Sequence, residues 1–314
     1  MPEAQVTTST GSRKIFISYS HHQGEWVWDR LVPVLKAGGA EVLIDRERFA
    51  AGHALVGQMD TTQDAADVHV LVLSPEYLAS DACRHEMERA VARDPRFENG
   101  VVVPVQRAAV PLPDALDGLN QPFYADLTAD GVTPPWDLLL RACGADLGTD
   151  APSWLAARDE IRRFLARGQS VNLVVDGDVG WRPLIADLQR GDLTDLAIVN
   201  LEKPATVSRR GLVAEILRAL GMTAAVPAEP EDLPELERFL SARQRSRLAL
   251  THFDLTANRP IYGVDLFSTL KYLVMESRKL VLLVQSRHPF ATLLPAGHPL
   301  SEVDLQTVEL RGRR

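Results

Sequence analysis

Cysteine is scarce in this chain, and positive charge is in deficit. Only Cys83 and Cys143 occur among 314 residues, which excludes a disulfide framework and reads as a cytosolic protein with reduced thiols. No run of about 18 apolar residues or leader-like start is present, so neither a helical membrane span nor a secretory signal is expected. Basic residues do not dominate. With a formal net charge of -8, a dedicated binder of the nucleic-acid backbone is disfavoured, because such affinity rests on lysine and arginine neutralising phosphates. His21, His22 and His85 have no second ligand at helical i+4 spacing. No metal site is expected, and these histidines read as solvated surface groups. There is no internal repeat. What is present is apolar: 46% hydrophobic residues over a length suited to about two domains, ample for two cores.

Residues 1–12, with Thr7-Thr-Ser-Thr-Gly-Ser12, read as a flexible tail. A first domain is expected over 13–147 and a second over 154–314. Between them the turn formers Gly148-Thr-Asp-Ala-Pro-Ser153 interrupt two helical patterns and are assigned as a linker, 148–153. In the first domain apolar strands alternate with helices. Strands are predicted at Lys14–Tyr19, Ala40–Ile44, Val68–Leu73, Val101–Val105 and, weakly, near Phe123 to Asp126. Helices are predicted at Trp26 to Lys36, with Val27, Leu31 and Leu35 on one stripe, at Ala54 to Ala65, and at Trp136 to Leu147. This alternation implies an α/β fold with a five-stranded parallel sheet, for which the flavodoxin-like order 2-1-3-4-5 leads. Its switch point lies between the first and third strands, facing Ser18 to Gly24 on one side and Ser74 to Glu86 on the other.

The most informative segment is Leu73-Ser-Pro-Glu-Tyr-Leu-Ala-Ser-Asp-Ala-Cys-Arg-His-Glu86. Ser80 and Asp81 are suited to start a helix, because a short side-chain oxygen can accept from free first-turn amides. Glu86 therefore sits about one turn into a helix leaving a central strand, as a lone carboxylate at the ligand edge. Strand alternation separates Phe16 and Ser18 from Ile15, Ile17 and Tyr19, so one of the two sets belongs to plain core.

Phe16-Ile-Ser-Tyr-Ser20, the Asp45-Arg-Glu stretch with Gly52, and Leu73 through Glu86 together resemble the three signature boxes of a bacterial TIR domain, over roughly residues 13 to 147. Many members of that family hydrolyse or cyclise NAD. Their glutamate lies three residues after a cysteine within Trp-Cys-x-x-Glu; here Ala82-Cys83-Arg84-His85-Glu86 keeps the glutamate and replaces the tryptophan. The resemblance implies Glu86 as the catalytic residue. It also implies a substrate pocket drawn from Phe16, Ser18, Tyr19, Asp45, Arg46, Ser74 and Cys83, and an assembly loop carrying Asp45 and Gly52. Arg46 is either a charge-assisted donor to a pyrophosphate or half of an exposed ion pair. NAD+ would be the substrate, and no cofactor is called for. One carboxylate suffices chemically, since nicotinamide leaves as a neutral amine without needing a proton.

The second half is again α/β. Strand patterns occur at Val171–Val175, Leu196–Leu201, Leu248–Phe253, Leu280–Gln285 and Thr307–Leu310. Helices fit at Trp154 to Arg167, Arg209 to Leu220, Pro234 to Arg245 and Leu266 to Glu276. The layout resembles the core of STAND-type P-loop ATPases, with a Walker-B-like strand ending at Asp254. A P-loop needs G-x-x-x-x-G-K-[ST]. From Gly177 this chain reads Gly-Asp-Val-Gly-Trp-Arg182-Pro183-Leu184, so the second glycine, the lysine and the hydroxyl are all replaced. Proline also removes an amide where a phosphate would be received.

The expected protein is an NAD+ glycohydrolase effector activated by self-association through its TIR domain. Its Walker-A-lacking second domain would be a non-catalytic module that meets an unidentified protein partner or trigger. The resemblance places such effectors in bacterial antiviral or conflict defence. A non-enzymatic TIR adaptor and a cyclase making a cyclic ADP-ribose signal are the alternatives.

Overall fold

The structure is a computed structural model and describes residues 12–44, 62–119, 125–177, 179–191 and 193–313. It divides into two compact units, Met1–Pro152 and Ser153–Arg314.

In the first unit five strands form one parallel sheet: β1 (Lys14–Tyr19), β2 (Glu41–Leu43), β3 (Val68–Leu73), β4 (Val102–Gln106) and β5 (Ala125–Asp126). Their order is β2-β1-β3-β4-β5, the flavodoxin-like arrangement. All of β3 is buried, as a β-branched run covered on both faces should be. The register places Ser18 beside Leu71 and Tyr19 beside Val72, so β1 and β3 deliver their carboxyl ends to the same edge.

Helix α1 runs over residues 24–37, and Val27, Leu31 and Leu35 are fully buried along its predicted stripe. Each such side chain contributes about 1.5–3 kcal/mol through apolar burial. After β3 come a short helix α2 (Pro75–Ala79) and then α3 (Asp81–Arg93). Ser80 opens α3 as its residue type led one to expect, and Ser74 opens the additional short helix α2; each accepts an amide of the turn that follows. Helix α4 (Thr133–Ala142) starts three residues before the predicted Trp136 and stops well short of Leu147. Gly144 ends it at φ +64, and a β-carbon there would press within 3.0 Å of the Arg13 side chain. Of the predicted helix over Ala54 to Ala65, only residues 62–65 are described, and residues 123 and 124 also lie outside the described set.

Helix α5 (Ala151–Ala166) takes up Ala151 to Ser153, which the sequence assigned to a linker. The turn between the patterns is narrower than expected, with Gly148 at φ +68. The second unit has β6 (Ser170–Asp176), β7 (Leu196–Asn200), β8 (Ser246–Thr251), β9 (Leu280–Ser286) and β10 (Leu305–Arg311). They form a second parallel sheet in the order β10-β6-β9-β8-β7. Helices α6 (Trp181–Arg190), α7 (Arg209–Ala219), α8 (Asp232–Ser241) and α9 (Gly263–Met275) connect them. Among the described residues, no helix is long and apolar enough to cross a membrane.

Candidate active site

The carboxyl ends of β1 and β3 frame a cavity of about 450 Å³ lined by Phe16, Ile17, Tyr19, Ser20, Glu76, Ala82, Cys83 and Glu86, with His21 and His22 also on its wall. Glu86 is half-buried on α3. It reaches across to β1, where the Ser18 hydroxyl donates a hydrogen bond to its Oε2. Behind it, the Gln63 amide donates to the Glu86 carbonyl at 2.7 Å and ties this turn of α3 to the preceding segment.

The structure distributes the predicted residues unevenly. Phe16, Tyr19, Cys83 and Glu86 line the cavity together. Tyr19 is fixed by the Trp28 indole, which donates to its hydroxyl at 3.0 Å. Cys83 is buried, and burial foremost pushes its thiol up, with the nearby Glu86 carboxylate adding to the effect. It serves as wall and not as a thiolate nucleophile. Ser18 is 1% exposed and faces Glu86 and Tyr77, so its hydroxyl addresses the carboxylate. Ser74 is fully buried and caps α2 by accepting from the Tyr77 amide at 3.2 Å; it does not line the cavity. Asp45, Arg46 and Gly52 lie outside the described residues.

Three features inside the expected edges Ser18 to Gly24 and Ser74 to Glu86 were not singled out as site residues. Glu76 is a second carboxylate on the cavity wall, so Glu86 is not alone there. Its carboxyl is held below the usual range by its own backbone amide and by the Ser74 hydroxyl. His21 and His22 belong to the cavity wall, where the sequence left them as surface groups with no role. Tyr77, fully buried, touches Ser18 at 2.9 Å. Among the described residues, no group of three or more His, Cys, Asp and Glu side chains gathers as a metal would require.

A buried polar side chain sits on β3. His69 is fully buried, its Nε2 lies 2.7 Å from Arg93 Nη1, and its Nδ1 meets no partner among the described residues. Burial first, then the Arg93 charge, lower its pKa from 6.5 to about 4, against a smaller opposing pull from Asp64. The fold thus keeps His69 neutral while the unfolded chain takes a proton near pH 6.5. Its contribution is complete above that value and is lost as the pH falls toward 4, because the unfolded state then binds the extra proton. His69→Gln is expected to flatten the loss of stability across this window by up to about 3 kcal/mol, read by urea unfolding at a series of pH values. Equal slopes for the variant and the wild type would contradict the assignment.

The second unit has its own cavity at its carboxyl edge, about 540 Å³, lined by Asp176, Gly177, Trp181, Arg182, His252, Gln285, Arg287 and His288. Here the strand expected to run to Asp254 ends at Thr251, and Asp254 lies three residues further, in a short helical turn. Its carboxylate accepts the Arg287 amide at 2.8 Å and meets His288 Nδ1 at 3.2 Å, clasping the loop after β9. His252 itself adopts left-handed backbone, φ +58, held by its amide donating to Gln285 Oε1 at 2.8 Å. Where a P-loop would place its second glycine stands Arg182, its guanidinium 4.6 Å over the ring of buried Trp181, and Leu184, in the hydroxyl position, is fully buried.

An open parallel sheet in 2-1-3-4-5 order with its cavity at the β1–β3 switch point defines the class of the first unit as a flavodoxin-like α/β domain. The TIR domain family matches residues 15–140, and this region of the chain is a TIR domain. Similar sequences include human Toll-like receptor 1, 32% identical over 72 residues, and Toll-like receptor 6 of Bos taurus, 31% identical over 72 residues. Each alignment covers 23% of this chain, and the chain spans only 9% of the length of these curated relatives. Among solved structures, the TIR domain of a Toll-related receptor from Hydra magnipapillata is 18% identical, with a TM-score of 0.37, covering 42% of this chain and 99% of that one. A Walker-type ATPase of Pyrococcus abyssi is 13% identical, with a TM-score of 0.37, over 49% of this chain and 53% of that one.

Proposed function

We propose that the chain is an NAD+ nucleosidase that cleaves the bond between nicotinamide and ribose, with Glu86 as its catalytic carboxylate. The observation that carries this reading is the placement of Glu86 on the wall of the switch-point cavity, fixed by Ser18 across the β1–β3 edge. Breaking the C1′–N bond releases neutral nicotinamide and leaves positive charge on the ribose. A carboxylate aimed at that charge stabilises the oxocarbenium-like transition state. Water then adds at C1′ and gives up a proton, yielding ADP-ribose. A cavity of about 450 Å³ is within the range that holds a small-molecule ligand. The apolar wall of Phe16, Ile17 and Cys83 suits the nicotinamide ring, and the loop with Asp45 and Gly52 is proposed to complete the site through self-association.

Under this proposal the TIR unit is an effector of bacterial antiviral or conflict defence, and the second unit a degenerate P-loop-like module that meets a partner protein. Buried Leu184 in the hydroxyl position supports a scaffold without a magnesium grip. Magnesium-ATP is therefore expected neither to bind at micromolar concentration nor to turn over, as checked by calorimetric titration with phosphate-release measurement. Steady turnover would overturn that part.

Ala82 favours a second reading, a non-enzymatic adaptor, because the cavity wall lacks an aromatic at the position where the resemblance expects tryptophan. Product analysis by mass spectrometry after incubating NAD+ with the clustered chain separates the cases. ADP-ribose supports hydrolysis, a cyclic product supports cyclisation, and untouched NAD+ despite assembly supports the adaptor.

A further inference from the structure

Two hydroxyls stand in line behind Glu86. Ser18 Oγ donates to Glu86 Oε2 and is also 2.9 Å from the Tyr77 hydroxyl. A serine hydroxyl has one proton, and here it is committed to the carboxylate. The contact between Tyr77 and Ser18 therefore has a fixed direction, with the phenol donating and Ser18 accepting. Ser18 is 1% exposed and Tyr77 fully buried, so water does not compete for either group. The chain is rooted on two elements: Ser18 on β1, and Tyr77 on α2, whose amide is capped by Ser74.

We infer that Tyr77 is a positioning residue which, through Ser18, polarises and orients Glu86 and holds it as a carboxylate at the cavity wall. The inference rests on the proposed NAD+-cleaving role of Glu86 for its purpose, although the hydrogen-bond chain exists whatever the reaction. A chain of hydrogen bonds running toward an anion strengthens each member, and the charged form of the last group gains most. If Glu86 were protonated, its own proton would turn the chain around, with Ser18 donating to the phenol. The direction of the chain and the charge of Glu86 are thus one state. Burial pushes the Tyr77 phenol far up, so it remains protonated and able to donate throughout the working range.

The role predicts shifts of opposite sign. Tyr77→Phe removes the distal donor without changing the ring, and the Glu86 titration midpoint is expected to rise by about half a pH unit, a fraction of what a direct hydrogen bond to a charged group supplies. The acid limb of the pH–rate profile for NAD+ cleavage should move up with it, in kcat and with little change in KM. Site-specific 3-fluorotyrosine at position 77, a more acidic and stronger donor, should move the midpoint down. The readout is ¹³C NMR of the Glu86 carboxyl in the full chain, assigned by its loss in Glu86→Gln, alongside the pH–rate profile.

A core-filling role for Tyr77 would alter thermal stability and leave the midpoint unmoved in both variants, and that result overturns the inference. Should Tyr77→Phe fail to fold, the fluorotyrosine chain alone decides, since its shape is almost unchanged. A wild type that cleaves no NAD+ but shows the paired shifts would sink the proposed reaction while upholding the hydrogen-bond chain.

Discussion

Glu86→Gln is expected to lower NAD+ cleavage by about a thousandfold while the fold stays intact, because one electrostatic group aimed at transition-state charge is commonly worth that much. Glutamine keeps the size of the side chain and can still accept from Ser18 through its amide oxygen. What it removes is the negative charge. The backbone is untouched, since Gln63 holds the Glu86 carbonyl and not its side chain. A half-buried carboxylate early in a helix contributes at most about 1 kcal/mol to stability through the helix dipole. The midpoint of thermal unfolding should therefore move by no more than about 2–4 °C. Circular dichroism, thermal melts and nicotinamide release on the same preparations check both halves. A variant that cleaves as fast as the wild type would remove Glu86 from the catalytic role.

Asp232→Ala is expected to destabilise the second unit measurably. Asp232 is fully buried at the start of α8 and takes the Arg209 guanidinium through both oxygens, Oδ1 at 3.0 Å and Oδ2 at 3.3 Å. Arg209 is itself mostly buried, with Glu229 as a second partner at 3.1 Å. Breaking a buried pair from one side leaves the other charge in a poor environment and costs about 3–5 kcal/mol. Glu229 is half exposed and retains part of the attraction, so about 2–3 kcal/mol is expected here. Urea unfolding of the full chain followed by probes in the second unit measures it. A midpoint within error of the wild type would show that the Arg209–Asp232 pair contributes little.

Much of this architecture was legible because its signals are periodic. The apolar run at Val68–Leu73, with valine at alternate positions, suits a strand buried on both faces, and alternation with helices led to the sheet order through the handedness of crossovers. In the second unit the five strands fell where apolar runs predicted them, with ends shifted by one or two residues. Helix α6 occupies the residues that align with a phosphate loop, and its stripe of Trp181, Leu184, Ile185 and Leu188 is buried.

The site was less legible, for a physical reason. A serine at the end of a strand serves equally well as a ligand contact or as a helix cap, and nothing in the residue type separates the two. Ser74 became a cap, while Ser18 turned toward Glu86. Tyr77 carries no periodic mark that would set it apart from core aromatics; its role depends on which hydroxyl it meets across 59 residues of chain. Glu76 lies within the segment from Leu73 to Glu86, and only the turn of α2 brings it onto the cavity wall. His252 shows the limit from another side. Left-handed backbone at a non-glycine residue leaves no sequence signature, and the side chain of Gln285 that holds it comes from a different strand.

The central claim is that this TIR domain cleaves NAD+ with Glu86. Its most direct test is the initial rate of nicotinamide release by wild type and Glu86→Gln on the same clustering scaffold at equal chain concentration. Release equal to NAD+ consumed in the wild type, falling about a thousandfold in the variant, is the predicted result. No release from the clustered wild type, or equal release from both chains, would contradict it.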